Sequence, residues 1–270
     1  MSPFLYEILA YFFIYSFLGW VLETVYASVQ QRRFVNRGFL NGPFCPIYGS
    51  GAILVILLLD YLPPNIFVLF VGGTILASAL EYLTGYIMET AFHTKWWDYS
   101  LDRFNLRGRI CLKYSLLWGI LSVFLLKVIH PAIQSILALY PEKWINVTVQ
   151  LLAIYFIIDC AFTVWNILKL HQLLNNLQRI TEAVKQQKEK LESLLEETQH
   201  TLQEKMEEEL QALSIRYEQL LEKSRAQLRL IKAFPQLTSK RFSIPLNDIK
   251  NKLSKYTLIR NPYKKKHHEE

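Results

Sequence analysis

The sequence predicts an all-α membrane protein with about five transmembrane helices, a long cytoplasmic coiled-coil helix and a basic tail. Three observations carry that reading. Apolar runs long enough to cross a bilayer fill residues 3–168. Neither glycine nor proline occurs from Ile145 to Phe234. Lys and Arg gather in alternate connections and at the C-terminus.

A spanning helix needs about 20 mostly apolar residues, because the hydrocarbon core is about 30 Å thick and each residue rises about 1.5 Å. Five segments fit: Phe4–Ser28, Ile47–Leu62, Ile66–Phe92, Ile110–Ile129 and Ile145–Leu168. The second is the weakest. It is short, opens on Gly49, Gly51 and Ala52, and stops at Pro63–Pro64, so a re-entrant or half-length helix is its alternative. The N-terminus has no basic n-region or small-residue cleavage site, which makes the first segment a retained helix rather than a signal peptide.

Whole-chain averages conceal a division near Leu170. The chain is 51% hydrophobic with a net charge of +7, but ionisable residues are sparse before that point and frequent after it. Three parts follow: a membrane helical domain at 1–168, a cytoplasmic coiled coil at 169–234, and a basic, flexible tail at 235–270. Cys45, Cys111 and Cys160 are far apart and lack metal-ligand spacing, so they read as reduced, packed thiols. No metal or cofactor is expected.

Orientation follows from the basic residues, which favour the cytoplasmic side. Arg32, Arg33 and Arg37 lie in the first loop, and Lys95, Arg103, Arg107 and Arg109 in the third. The N-terminal flank and second loop have none, and the fourth region has only Lys127 and Lys143. The N-terminus is therefore expected outside and the C-terminus in the cytoplasm of a multi-pass cell-membrane protein. Trp96, Trp97, Tyr99 and Trp118 mark one interface, with Tyr140 and Trp144 at the other.

Charges inside apolar segments are the informative residues, since each costs at least about 2.5 kcal/mol and usually faces a bundle interior or a watery cavity. They are Glu23, Glu81, Glu89 and Asp159, with Lys113 one turn into the fourth segment. Glu81, Gly85 and Glu89 share one helix face. Gly19 stands four residues before Glu23, and glycine there admits a neighbouring backbone. Glu23, Glu89, Arg107, Arg109 and Lys113 all belong near the cytoplasmic end. Two loops could cap them: 36–49, dense in glycine and proline, and 96–109, which contributes Trp97 and Asp98. These groups read either as helix-packing ion pairs or as a polar pocket for an ion, a lipid headgroup or a small solute. No nucleophile–base–orienter set accompanies them. Ser115 has no evident partner and His93 stands alone, so no catalytic residue and no enzyme activity are expected. A lipid-acting intramembrane enzyme ranks last, behind a membrane-anchored scaffold.

These residues also carry a family resemblance. Phe17–Leu18–Gly19–Trp20 with Glu23, Gly38–Phe39–Leu40 with Gly42–Pro43, and Cys45–Pro46–Ile47–Tyr48–Gly49 occur in the first part. Glu81–Tyr82, Thr84–Gly85, Met88–Glu89, Trp96–Trp97–Asp98–Tyr99, Asn105, Gly108–Arg109–Ile110–Cys111–Leu112 and Trp118–Gly119 follow. Over residues 10–130 the chain resembles the bacterial family called CmpB, named as ABC-transporter permeases. The resemblance implies a small multi-helix transport component. The chain has no Gly-x-x-x-x-Gly-Lys-Ser/Thr phosphate loop, so an ATP-driven role would require a separate ATPase subunit.

Beyond Leu170, Leu173, Leu177, Ile180, Val184, Leu191 and Leu194 step by threes and fours in heptad fashion. Thr198, Leu202, Met206 and Leu210 then step by four, a stutter that relaxes supercoiling. Leu213, Tyr217, Leu220 and Leu221 resume the pattern. A parallel homo-oligomer through 170–232 is the leading expectation. A fold-back hairpin breaking near Thr198–Thr201, a helical partner protein and a lone solvated helix are the alternatives. After Pro235 the tail is basic, from Lys240 and Arg241 to Lys264–Lys265–Lys266, against Asp248, Glu269 and Glu270. Membrane lipids are the expected contacts. Nucleic acid is not, because no reading module accompanies the charge.

Overall fold

The computed structural model describes residues 3–62, 65–195, 200–223, 228–239 and 241–260. The chain divides into two compact bodies, Met1–Val164 and Trp165–Glu270. Pro63, Pro64, Thr198, Lys240 and the Lys264–Lys266 run lie outside the described residues, as do the side chains of Leu191, Leu194, Leu202, Met206 and Leu221.

The first body is helical. Its elements are α1 (Pro3–Gln31), α2 (Pro46–Leu59), α3 (Ile66–Phe92), α4 (Leu112–Phe124), a π-helical turn (Leu125–Ile129), α5 (His130–Leu137) and the first part of α6 (Glu142–Leu195). Among the described residues, four helical stretches are long and apolar enough to cross a membrane: Phe4–Gln31, Ile66–Phe92, Leu112–Leu137 and Glu142–Gln187. The second expected span differs. At 14 residues, α2 is about 21 Å long, short of the roughly 30 Å core.

The reason lies in how α2 begins. The Cys45 amide donates to the Ser16 carbonyl at 2.9 Å, close to the middle of α1, and Pro46 starts the helix there. Proline suits a first helical turn because its missing N–H would have no helical partner anyway. From that level α2 runs antiparallel to α1, with Gly49 against Phe12 and Ser16. Val55, Ile56 and Leu59 join Tyr11, Tyr15, Leu69 and Leu126 in one core. An extended stretch therefore leads from the end of α1 to its middle, and the half-length helix starts there.

Contacts fix the remaining directions. Gly73 meets Ser122, and Gly119 meets Phe70 and Thr74, so α3 and α4 are antiparallel. On α6, Gln150 donates to the Tyr6 hydroxyl at 2.8 Å and Phe156 meets Phe12 and Phe13 edge-on, so α6 runs with α1. Segments 32–45 and 93–111 consequently share one end of the body.

The fourth segment extends beyond the expected Ile129 to Leu137 despite Pro131. The π-helical turn just before that proline widens the helix where a proline ring would otherwise meet the preceding carbonyls. His130 is buried at this bend and shares a 2.8 Å hydrogen bond with the Tyr15 hydroxyl. Between α3 and α4, β1 (Asn105–Leu106) pairs antiparallel with β2 (Ile110–Cys111). Arg107 and Gly108 make the turn with positive φ at both residues.

The second body contains the end of α6, then α7 (His200–Lys223), α8 (Leu228–Ala233) and α9 (Ser243–Arg260). The heptad stripe is packed within the chain, with Leu173, Leu177 and Ile180 all buried. Gln187 on α6 donates to Glu209 on α7, and Thr181 lies within hydrogen-bonding reach of Tyr217. As one number rises the other falls, so α7 returns antiparallel along α6. At Leu173, Leu177 and Ile180 the apolar face meets this chain's own helices, in the fold-back arrangement given above as an alternative to a parallel coiled coil. The segment read as a flexible tail likewise contains α9, held by Phe242, Leu246 and Ile249, each at most 2% exposed. Phe242 meets the His171 ring edge-on at 5.0 Å. Sparse apolar residues at 242, 246 and 249 suffice to dock a helix, although the overall composition is basic.

Candidate functional site

The loop ahead of α2 is built on side chains that replace a helix's own hydrogen bonds. Asn36 accepts from the Trp20 indole at 2.8 Å and from the Gly38 amide at 3.0 Å, and donates to the Asn41 carbonyl at 2.7 Å. Asp159 on α6 then accepts the amides of Asn41 at 3.1 Å and Gly42 at 2.8 Å. Irregular backbone inside a membrane body persists only when its polar groups find partners. This intramembrane carboxylate has that structural role. A side chain at Gly42 would strike Tyr155 and Asp159, so the glycine permits the clamp.

The loop and the first turn of α2 each deliver a side chain to Glu23. Arg37 pairs with it at 3.1 Å, and the Tyr48 hydroxyl donates to it at 2.6 Å. Tyr48 reaches across because Gly19, one turn before Glu23, leaves room for its ring. The Tyr48 ring then meets the Trp118 ring edge-on at 5.6 Å. On its far side, the Trp118 indole donates to Glu81 at 3.0 Å, and Tyr99 donates to the other Glu81 oxygen at 3.1 Å. Tyr99 is itself stacked on Tyr114 at 4.8 Å. Burial, and then the neighbouring Glu81 charge, push the Tyr99 phenol well above its ordinary value. The two carboxylates thus end one aromatic chain, Glu23–Tyr48–Trp118–Glu81.

Their charges are balanced differently. Glu23 has Arg37. Glu81 is 6% exposed and pairs with no Lys, Arg or His among the described residues. Buried charges are normally matched by an opposite charge, whereas the partners of Glu81 among the described residues, Trp118 and Tyr99, are neutral donors. No group of three or more His, Cys, Asp or Glu residues among the described residues could hold a metal ion.

A second cluster surrounds Glu89. Arg109 contacts its carboxylate through Nε at 3.0 Å and Nη2 at 2.8 Å, and donates to Tyr82 at 3.1 Å. Its guanidinium lies 5.2 Å from the ring centres of Tyr82 and Tyr86. Burial opposes the charged form of Arg109, but the Glu89 and Tyr82 bonds outweigh it and raise its pKa. Trp97 donates to the Arg109 carbonyl at 2.9 Å. Asp98 braces the same loop, 3.5 Å from the Lys95 ammonium and accepting the Ser100 amide at 3.1 Å. Burial would raise its pKa, but the Ser100 bonds and then the Lys95 charge hold it below the usual value.

Of the residues expected from sequence, Glu23 and Glu81 share one cluster, while Glu89, Arg109 and Trp97 share the other. Asp98 supports the loop. Arg107 and Lys113 are exposed, and Lys113 lies over the Tyr114 ring at 5.3 Å. Tyr48, Tyr99 and Trp118 were read as motif or interface residues, yet Tyr48 and Trp118 connect the carboxylates and Tyr99 is a second donor to Glu81. A separate cavity of about 430 Å³ between α1, α5 and α6 is lined by apolar groups such as Phe13, Phe17, Trp144 and Leu152. It offers little to orient a polar ligand.

A family model described as "Putative ABC-transporter type IV" matches residues 10–164. The chain belongs to that family. The match passes residue 130, the expected limit of the resemblance, and takes in Asp159 and Thr163, the α6 residues that hold Asn41 and Gly42. It closes at the boundary between the two bodies. No curated protein and no solved structure matches the chain.

Proposed function

We propose that this family member is the membrane-embedded subunit of a transport system, and that the Glu23–Tyr48–Trp118–Glu81 chain is where it contacts its solute. The observation that carries this reading is Glu81, a buried carboxylate inside an apolar helix held, among the described residues, by the neutral donors Tyr99 and Trp118. Intramembrane carboxylates of that kind mark substrate or ion paths. The half-length helix supports it too, because interrupted helices form the solute sites of many transporters. Glu89 and Arg109 hold the neighbouring loop, with Trp97 and Asp98 as its supports. The loop end faces the cytoplasm, the N-terminus lies outside, and a separate ATPase subunit drives the cycle. The chain itself is not an enzyme.

Isolation of the full-length chain from native membranes tests this. An ATP-binding subunit should co-isolate, and Glu81→Gln should lower the ATPase turnover of the complex about tenfold while the two subunits still co-isolate. Recovery with lipid but no ATP-binding subunit would remove ATP-driven transport. Unchanged turnover in the variant would remove Glu81 from the solute path.

A further inference from the structure

Two buried groups of the membrane body face a tyrosine hydroxyl through an atom that can take a proton. One is Glu81. Its Oε2 accepts the Trp118 indole at 3.0 Å, and its Oε1 accepts the Tyr99 hydroxyl at 3.1 Å. An indole can only donate, whereas a phenol both donates and accepts. The two oxygens are therefore unequal. Trp118 holds Oε2 whatever the charge, and Oε1 faces the partner that can turn from donor to acceptor. A proton on Oε1 would be received by the Tyr99 oxygen, with the phenol hydrogen turned away. Tyr99 is half-buried in the 93–111 segment, so the relay of this station lies at the loop end.

The charges around Glu81 are committed elsewhere. Glu23 and Glu89 pair with Arg37 and Arg109, and exposed Lys113 lies over the Tyr114 ring. The other titratable neighbours are Tyr48, Tyr82, Tyr114 and Cys111. A buried carboxylate without a counter-charge is costly, and a proton is the cation that neutralises it without needing a cavity.

The second group is His130, 3% exposed at the bend that follows the π-helical turn, a feature frequent at functional sites. Its Nδ1 lies 2.8 Å from the Tyr15 hydroxyl. In the tautomer whose Nδ1 accepts from Tyr15, a proton taken up there reverses the bond, and Tyr15 becomes the acceptor. A polar line leads from this station to the other end of the body. The Tyr11 ring meets His130 edge-on at 4.8 Å, and Tyr11 donates to exposed Glu7 at 3.0 Å. Gln134 is within hydrogen-bonding reach of Tyr11. Glu7 on α1 and Asp60 at the end of α2 are the nearby carboxylates. Lys127 stands one turn back on the same helical stretch, and α3 has no ionisable residue from Ile66 to Leu80.

Trp118, which holds Glu81, and His130 are separated by about 18 Å along the Leu112–Leu137 stretch, at about 1.5 Å per residue. Helix direction places the buried hydroxyls of Ser16, Ser78 and Ser122 at intermediate depth. Those of Ser16 and Ser78 have no hydrogen-bond partner among the described residues. Buried hydroxyls without protein partners are where buried water bonds.

We propose that the membrane body binds and releases protons at two buried stations, Glu81 with Tyr99 near the loop end and His130 with Tyr15 toward the other. At either station an O–H bond of hydronium breaks as the new carboxyl O–H or imidazole N–H bond forms, and the reverse step returns the proton to water. Carboxylates and histidines inside apolar helices form the proton relays of pumps and transporters. Only the step from proton exchange to proton transport rests on the reading of Glu81 as the solute contact.

The test uses full-length protein in lipid nanodiscs, titrated between about pH 4 and pH 9, which spans ordinary carboxyl and imidazole values. Infrared spectra should show a carboxyl band that grows as the pH falls, shifts in deuterated water and is lost in Glu81→Gln. Should that variant not fold, isotope labelling of glutamate should shift the band in the parent but not in Glu81→Asp. Tyr99→Phe should slow deuterium exchange of that carboxyl about tenfold while the band itself persists. The imidazole resonance lost in His130→Gln should titrate over the same range, and Tyr15→Phe should move that resonance alone. A Glu81 or a His130 that keeps one protonation state throughout would overturn the inference. If Glu81→Gln lowers the ATPase turnover of the complex although Glu81 never titrates, the solute site stands and the proton is removed. If both groups titrate and turnover is unchanged, proton exchange stands and the solute path is removed.

Discussion

Gly42 and Asp159 show how single residues fix the membrane body. The Asp159 carboxylate takes two amides that would otherwise be buried without partners. An unsatisfied buried donor costs about 1–3 kcal/mol, so Asp159→Ala should destabilise the protein by about 2–5 kcal/mol, read as a lowered unfolding midpoint in detergent. Gly42→Ala should do comparable damage by driving a methyl group into Tyr155 and Asp159. If both variants unfold like the parent, the loop is held by something else. Asp98 makes a different prediction. Its folded-state pKa lies below its ordinary 3.8, so its contribution is complete above about pH 4 and is lost as pH falls through the depressed value. Unfolding temperatures between pH 2 and pH 6 should drop more steeply in the parent than in Asp98→Asn. Sequence marked Glu23, Glu81 and Glu89 because charge within an apolar run is conspicuous. It could not single out Tyr48, Tyr99 and Trp118, since an aromatic joining two carboxylates has the same signature as one anchored at the interface.

Helices were legible as apolar runs, and their limits followed from hydrogen bonding that composition does not reveal. The segment opening at Pro46 is short because its N-terminus is tied to the middle of α1 through Ser16, a contact across 29 residues of chain that periodicity cannot encode. The fourth segment was expected to end at Ile129, yet the π-helical turn before Pro131 lets the helix continue to Leu137. The heptad stripe after Leu170 was read correctly as an apolar face, but such a face does not state its partner. Antiparallel return of α7 places a partner for its described part within the same chain. Leu177 is fully buried in that arrangement, so Leu177→Ala should cost about 2–5 kcal/mol. Tyr217→Phe removes the 2.7 Å bond to Asp248 and should cost about 1 kcal/mol. Both losses should appear in amide exchange across α7 and α9. A parallel coiled coil between molecules would instead make exchange protection of α7 depend on protein concentration.

For the molecule as a whole, helix direction and loop charge make one joint claim about sidedness. Contacts place segments 32–45 and 93–111 at one end of the body, and those segments hold Arg32, Arg33, Arg37, Lys95, Arg103, Arg107 and Arg109. The 138–141 connection at the opposite end has no Lys or Arg. Because basic connections stay in the cytoplasm, the two ends should react with a membrane-impermeant maleimide from opposite sides. Leu101 and Tyr140 suit the measurement, being 101% and 60% exposed at the two ends. Cys45 and Cys111 are buried, and Cys160→Ser removes the partly exposed native thiol. In that background Tyr140→Cys should label in intact cells, whereas Leu101→Cys should label only after the membrane is permeabilised. The reverse pattern would invert the protein and place the Glu23 and Glu89 ion pairs at the outer face. Labelling of both sites in intact cells would mean that the intervening helices do not separate the two ends. The four long helices and half-length α2 would then need a different path through the bilayer.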